Sequence, residues 1–198
     1  DIIYYSKKSK KPNKVGSKYY DIYEYNILTK KEKRLTYDSR AFSPVFSKKD
    51  SSIFFLATYD GTQNIYMLDL KENVTQKLTD FTDQEIISGL NYDKDTNRII
   101  YDITFNHFKD IYYLSLSDST SGSIMNNSLW DERQSDFIKK DMVYSDDRSG
   151  VFNLYFIGEN RQGYLTNVIG GAFMPDMHEN GKIVYSLYQN GKYNLAIL

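Results

Sequence analysis

The chain has 198 residues, no Cys, a net charge of −1, 40 % hydrophobic and 26 % charged residues. That balance belongs to a folded chain rather than a disordered one. The near-zero charge argues against nucleic acid as a partner and gives no attraction to an anionic membrane surface, while the missing Cys excludes disulfides and thiolate chemistry and leaves the compartment open.

No apolar run reaches the roughly 18 residues of a membrane span, and no signal peptide is visible, so direct membrane insertion is not expected. The chain opens on Asp1 rather than Met and reads as a piece of something longer. Its 19 Tyr and 11 Phe favour strands over helices.

In chain order, the first apolar run is "IIYYS" at Ile2, followed by a long basic stretch, "KKSKKPNKVGSKYY", that reads as an exposed loop. Then comes "DIYEYNI" at Asp21, closed by a polar turn and "KRLT". The same order returns as "SPVFSKKD", "SIFFLAT", a "YDGTQ" turn, "NIYMLDL" and "QKLT". It returns again as "ISGLNYDKD", "RIIYDIT" and "DIYYLSL", then as "MVYSDD", "DDRSGVF", "NLYFIGE" and "GYLT". The last pass is "AFMPDMHENG", "KIVYSLY", "YQNGKY" and "NLAIL".

The anchors at Asp21, Asn64, Asp110, Asn153 and Asn194 are spaced by 43, 46, 43 and 41 residues, the signature of a repeat architecture. Asp-Gly, Ser-Gly and Asn-Gly between the two longest runs suit hairpin turns. Four short runs per unit predict a four-stranded antiparallel meander, and runs that are apolar on both faces predict sheets covered on both sides. The fold expected is all-β, a β-propeller of four-stranded blades. Approximate units are 1–36, 37–79, 80–126, 127–166 and 167–198. The first and last hold three strands and the others four, eighteen in all.

The run "RLT…SPVFSKKDSSIFFLATYDGTQNIYMLDL" resembles the blade repeat of the TolB-like propeller family, which is shared with the propellers of tricorn-type and prolyl-oligopeptidase-type peptidases. Ser43, Pro44, Phe46, Ser47, Asp50, Asp60, Gly61, Asn64, Ile65 and Tyr66 match its pattern, with Lys48 and Ser51 departing. Asp147, Arg148, Ser149, Gly150, Asn153 and Tyr155 match in the fourth unit, and Pro175, Asn180 and Gly181 in the fifth. The third departs most, with "NYDKDTNR" for the usual turn and no Leu-Thr near "SGSIMNNSLW". The resemblance implies six-bladed rings, hence an incomplete ring of about four to five blades completed by remaining blades or domains of a parent chain. It also implies a periplasmic or cell-envelope protein of a bacterium, non-catalytic, a scaffold or protein-binding module. The alternative is an accessory, substrate-gating propeller of a larger serine or metallo-peptidase, and the third reading a propeller glycoside hydrolase.

Residues with chemistry are few. His107 and His178 both fall in predicted turns, and a zinc site would need more ligands than they supply, so no metal is expected. "DDRSGVF" lacks the nucleophile-elbow spacing, which makes Ser149 a turn residue. No phosphate-binding loop or dinucleotide fingerprint appears, so no cofactor is expected. "DKDTN" at 93–97 begins like a calcium loop but continues with Arg98 for Gly and has Thr104 at the bidentate position. Asp146 with Asp147, and Asp83 with Glu85, are paired carboxylates of the kind glycosidases use, yet "SDDRSG" matches the repeat's own turn. The basic runs "KKSKK" and "TKKEKR" read as solvated turns, and the sequons at Asn73 and Asn126 matter only in a glycosylating host.

The loops between second and third strands, with the connections between blades, form the face that carries binding in such folds. Here that face collects Arg40, Phe42, Asp60, His107, Asp146, Asp147, Arg148, Phe173 and Asn190, and the partner expected is a protein or peptide. "SRAF" and "GGAF" occupy equivalent positions, where Phe42 and Phe173 either anchor a partner or pack between blades.

Overall fold

The computed structural model describes residues 1–59, 61–83, 85–105, 107–125 and 129–198. These form two compact units, Asp1–Leu90 and Asn91–Leu198. Eighteen strands and no helix occur among the described residues, the strand number the repeat predicts.

The first unit holds a three-stranded antiparallel sheet of β1 (Ile2–Lys8), β2 (Tyr20–Asn26) and β3 (Glu32–Arg34), in that order. A four-stranded meander follows: β4 (Phe42–Ser47), β5 (Ser52–Ala57), β6 (Asn64–Asp69) and β7 (Val74–Lys77). Strand β5 is buried along its whole length, which is why "SIFFLA" carries no polar alternation. Its Ile53, Phe55 and Ala57 pack with Ile22, Ala41, Tyr66 and Leu68 into one core.

The unit boundary falls inside β8 (Ile86–Asp93), which joins β9 (Arg98–Phe105), β10 (Phe108–Ser115) and β11 (Ser121–Met125) in a meander. The second unit continues with β12 (Glu132–Ile138), β13 (Asp141–Asp146), β14 (Asn153–Ile157) and β15 (Gln162–Tyr164), a third meander. It ends with a three-stranded sheet of β16 (Ala172–Met177), β17 (Ile183–Gln189) and β18 (Lys192–Ile197). Two cores are seen among its described residues. Ile100 and Ile111 meet Met142 and Tyr144 on one side of the β12–β15 sheet, and Val143 and Leu154 meet Ala172, Ile183 and Tyr185 on the other. A β13 that buries alternate residues against two neighbours explains its apolar character on both faces.

The repeated letters have physical jobs. Asn153 is buried, and its Oδ1 accepts the Thr166 hydroxyl at 2.9 Å and the Val168 amide at 2.9 Å, while Thr166 Oγ1 accepts the Leu154 amide at 2.8 Å. Asn64 does the same with Thr79 and the Phe81 amide, and Asp21 with Thr36 and the Ser39 amide. The Asp/Asn at the start of the penultimate strand of each of these sheets thus clamps the Thr of Leu-Thr and the backbone beyond it, satisfying amides that leave the sheet. That is why the two signatures recur together.

The first strands of three sheets carry a second device. Ser43 in β4, Gln134 in β12 and Met174 in β16 all have positive φ, each where the pairing register slips. These bulges free amides from the ladder. The Gln134 amide goes to both oxygens of the buried Asp102 carboxylate at 2.9 and 3.0 Å, and the Met174 amide to Gln134 Oε1 at 3.0 Å. Asp136, also in β12, accepts from Asn91 Nδ2 at 2.7 Å and the Met177 amide at 2.5 Å.

Candidate binding face of the second unit

The β13–β14 turn runs Asp147–Arg148–Ser149–Gly150 and closes with a Gly150 amide to Asp147 carbonyl bond of 2.7 Å, with Gly150 at φ 87°. Glycine suits that conformation, for which an L side chain is strained. The turn lifts Arg148 back over the end of its own sheet. Its guanidinium lies 4.5 Å from the Tyr155 ring centre and 5.2 Å from that of Trp130. Nη2 donates to the Tyr144 hydroxyl at 3.0 Å and sits 2.8 Å from Asp146 Oδ2 and 3.6 Å from Glu132 Oε1. The Asp146 contact is an ion pair lacking hydrogen-bond geometry, so that oxygen has no hydrogen-bond partner.

Cross-strand pairing puts Glu132 directly opposite Asp146, and both are fully buried. Asp146 Oδ1 accepts the Tyr164 hydroxyl at 2.9 Å, and Glu132 Oε1 accepts the Trp130 indole N–H at 3.3 Å, while Glu132 Oε2 has no hydrogen-bond partner. Two buried carboxylates facing one guanidinium leave an excess of negative charge, with Asp110 adding to it. Burial is the main cause that pushes Glu132 up to about 7, against the pull of Trp130 and Arg148. Burial raises Asp146 as well, and burial with the Asp146 hydrogen bond raises Tyr164 to about 12.

Beside this cage runs an aromatic ridge. Arg133, paired to Asp131 at 2.5 Å, covers the Phe152 ring at 4.0 Å. Phe152 meets Phe173 at 5.2 Å, Phe173 meets Tyr193 at 6.1 Å, and Tyr193 meets Tyr188 at 4.9 Å. Tyr193 is exposed, as is Met174, the residue after Phe173. The cage and the Arg133–Phe152 end of the ridge share the β13–β14 turn and the start of β12, and the ridge runs on to the β17–β18 turn, where Asn190 and Gly191 at φ 54° and 76° form the two-residue turn.

Of the residues singled out from sequence, the second unit brings Asp146 and Arg148 into the cage and Phe173 into the ridge. Asn190 turns the hairpin that carries Tyr188 and Tyr193. Asp147 is structural, its Oδ1 accepting the Asp131 amide at 2.9 Å. His107 is an exposed turn residue at φ 74°. In the first unit Arg40 stacks on Tyr19 at 4.6 Å and donates to its hydroxyl at 3.1 Å, and Phe42 lies 5.1 Å from Tyr20. Asp60 lies outside the described residues, as does the sequon residue Asn126. Glu132, Trp130, Tyr144, Tyr164 and Phe152 were not singled out, although a lone Trp running into "DER" was the available signal.

Ser149 is fixed rather than poised, with its hydroxyl donating to the Val151 carbonyl at 2.9 Å and accepting from Asn153 Nδ2 at 3.1 Å. Among the described residues no three His, Cys, Asp or Glu side chains cluster as a metal site would need.

No family model matches the sequence, and no curated protein matches it. Solved structures do match. TolB from Acinetobacter baumannii superposes with a TM-score of 0.80 at 18 % identity, over 99 % of this chain and 49 % of that one. A putative TolB from Agrobacterium tumefaciens gives 0.75 at 12 %, over 98 % and 76 %. The fold is a TolB-like β-propeller. The β-propeller domain of the Trilobed protease from Pyrococcus furiosus matches with 0.64 at 11 %, over 100 % and 77 %. The chain spans about half the length of the Acinetobacter TolB. In propeller terms each sheet is a blade, β4, β12 and β16 are inner strands, and the cage and ridge sit where inner strands meet the turns between second and third strands.

Proposed function

We propose that the chain is a non-catalytic propeller module that holds a protein or peptide partner on the ridge and cage of its second unit, within a larger bacterial cell-envelope protein. The observation that carries this is the Phe152–Phe173–Tyr193–Tyr188 ridge, whose Tyr193 and Tyr188 are exposed and whose Phe152 end is covered by the Arg133–Asp131 pair. Rigid aromatics beside Arg are the side chains that dominate protein recognition. The cage speaks for binding over catalysis. Its carboxylates are sealed under Arg148, and Asp147 is held by a backbone amide, so neither acid is presented to a substrate. The envelope location, periplasm included, rests on the resemblance to TolB.

The test is selection of peptides from a displayed random library on the wild-type chain. Enriched peptides should bind Tyr193→Ser at least about tenfold more weakly, as expected for loss of one interface aromatic. Equal binding by that variant would end this assignment of the face. The second reading, an accessory propeller of a peptidase, is favoured by the likeness to the Trilobed protease propeller. A peptidase domain encoded in the same reading frame would select it.

A further inference from the structure

At the opposite ends of the same strands, the second unit has a cleft of about 230 Å³ that no reading of the ridge uses. It lies between the turns β12–β13, β14–β15 and β16–β17. Its floor is apolar: Ile138, Phe156, Leu165, Met177 and Ile183. Its charged lining residues are Asp141, Arg161 and Glu179.

The β14–β15 turn brings Asp141 and Arg161 together. It closes with a Gly158 amide to Arg161 carbonyl bond of 2.8 Å, and the Arg161 guanidinium lies 4.5 Å over the Phe156 ring. Gly158 leaves space for the acid, since a Cβ there would stand 2.7 Å from Asp141 Oδ1 and 2.7 Å from the Phe156 ring. Glu179, on the outer wall of the cleft, faces Lys94 at 2.9 Å in solvent, and Glu159 faces Lys140 at 3.4 Å, so Asp141 is the acid here, among the described residues, that has no cation of its own. Among the described residues neither Asp141 nor Arg161 has an ion-pair partner, and they do not pair with each other. His178 on the wall accepts the Asn180 amide at Nδ1, which places the proton of the neutral ring on Nε2 as a further donor.

A separated cation and anion above an apolar floor complement a zwitterion with an apolar tail. The volume is below the roughly 300 Å³ at which pockets for drug-sized ligands begin, so the ligand is small. We propose that this cleft binds a free α-amino acid with an apolar side chain, its carboxylate on Arg161, its ammonium on Asp141 and its side chain on the Phe156–Met177–Ile183 floor. Arg suits a carboxylate because its planar fork can donate two parallel bonds.

Isothermal titration of the 198-residue chain with L-leucine and L-phenylalanine tests this. Saturable one-to-one binding is expected. Leucinamide, which lacks the carboxylate, and N-acetyl-L-leucine, which lacks the ammonium, should each bind about tenfold or more weaker, the usual effect of losing one charge-assisted bond. Arg161→Gln and Asp141→Asn, both at the rim and checked for folding by circular dichroism, should weaken leucine by the same factor. Equal binding of N-acetyl-leucine would mean a peptide C-terminus is read instead, and would overturn the proposal, as would full affinity in Arg161→Gln. Where heats are small, methyl NMR of Met177 and Ile183 decides, and unmoved signals at about 10 mM leucine, a concentration that would half-saturate even a weak site, overturn it too.

Discussion

Two neighbouring sheets of the second unit carry the same repeat with opposite outcomes. In the β12–β15 sheet, Val143, Leu154 and Phe156 are 0, 0 and 4 % exposed, the first two packed on Ala172, Ile183 and Tyr185. In the β16–β18 sheet the matching residues Val184, Leu195 and Ile197 are 37, 82 and 67 % exposed. The match is fixed by register: Asn153 faces Asp146 as Asn194 faces Leu187. A blade's apolar face is written into its own residues, while its stability depends on what lies over it.

The largest expected effect separates the two faces directly. Leu154→Ala should cost about 2–5 kcal/mol, the range for a buried leucine that leaves a cavity. Leu195→Ala at the equivalent place should change stability by less than about 0.5 kcal/mol, as exposed substitutions do. Urea unfolding followed by fluorescence of Trp130 measures both. Equal losses would mean β18 is covered in solution, for example by a second copy.

The same register sharpens the comparison at the cage. The pair Glu132–Asp146 stands where the next sheet has Ala172–Leu187. Glu132 has its pKa raised from 4.5 to about 7 by burial. For an acid raised in the folded state the unfolded chain ionises first, so stability is fully present below about pH 4.5 and is lost as pH climbs to 7. The loss is at most about 3 kcal/mol from the size of the shift, reduced by the screening that reaches the site past the part-exposed Arg148. Glu132→Gln should flatten that decline between pH 5 and 7.5, measured by urea midpoints. An unchanged slope would assign it to other groups, Asp146 or Asp136, whose values burial also raises.

How much of this was legible in the sequence follows from where each feature is encoded. Strand number and order are local, written in periodic apolar runs and turn residues, and they appear as expected. The Asp/Asn and Leu-Thr signatures were visible as letters, but their meaning as a clamp needs Asn153 and Thr166 brought side by side by the β14–β15 hairpin. The cage was half legible: Asp146 and Arg148 sit in a recognisable turn, whereas Glu132 reaches them only through β12–β13 pairing across 14 residues, in the unit whose preceding Leu-Thr is missing. The bulges at Gln134 and Met174 had no signal, because neither residue type favours positive φ. The exposure of Leu195 was illegible in principle, since burial by a neighbour is not a property of the strand itself.

The clamp gives a third, smaller contrast. Asn153→Ala removes an acceptor shared by Thr166 and the Val168 amide, leaving a buried hydroxyl and a part-buried amide unpaired. About 1–3 kcal/mol is expected. Asn194, the same letter of the repeat, is exposed, so Asn194→Ala should be near neutral. Hydrogen exchange at Val168 localises the effect: its amide should exchange faster in Asn153→Ala and be unaffected in Asn194→Ala. Equal exchange in the two variants would reduce the signature to a strand-propensity pattern.

The smallest effect concerns ion pairs, and it runs along the same division between covered and open places. Arg148 meets a fully buried carboxylate and is further held by a hydroxyl and two rings, so breaking it strands Asp146 without its cation. Lys94 and Glu179 meet at 2.9 Å with both side chains more than two-thirds exposed. Two long chains ordered in water recover little from each other, and salt screens what remains. Lys94→Ala should therefore cost no more than about 0.5 kcal/mol at low salt and nothing measurable near 0.5 M NaCl. Arg148→Ala should lose stability at both salt concentrations, with the larger loss above pH 7, where Glu132 is also ionised. A salt-sensitive Arg148→Ala penalty of the Lys94 size would show the cage open to solvent, and the distinction between its acids and those of the surface would fall with it.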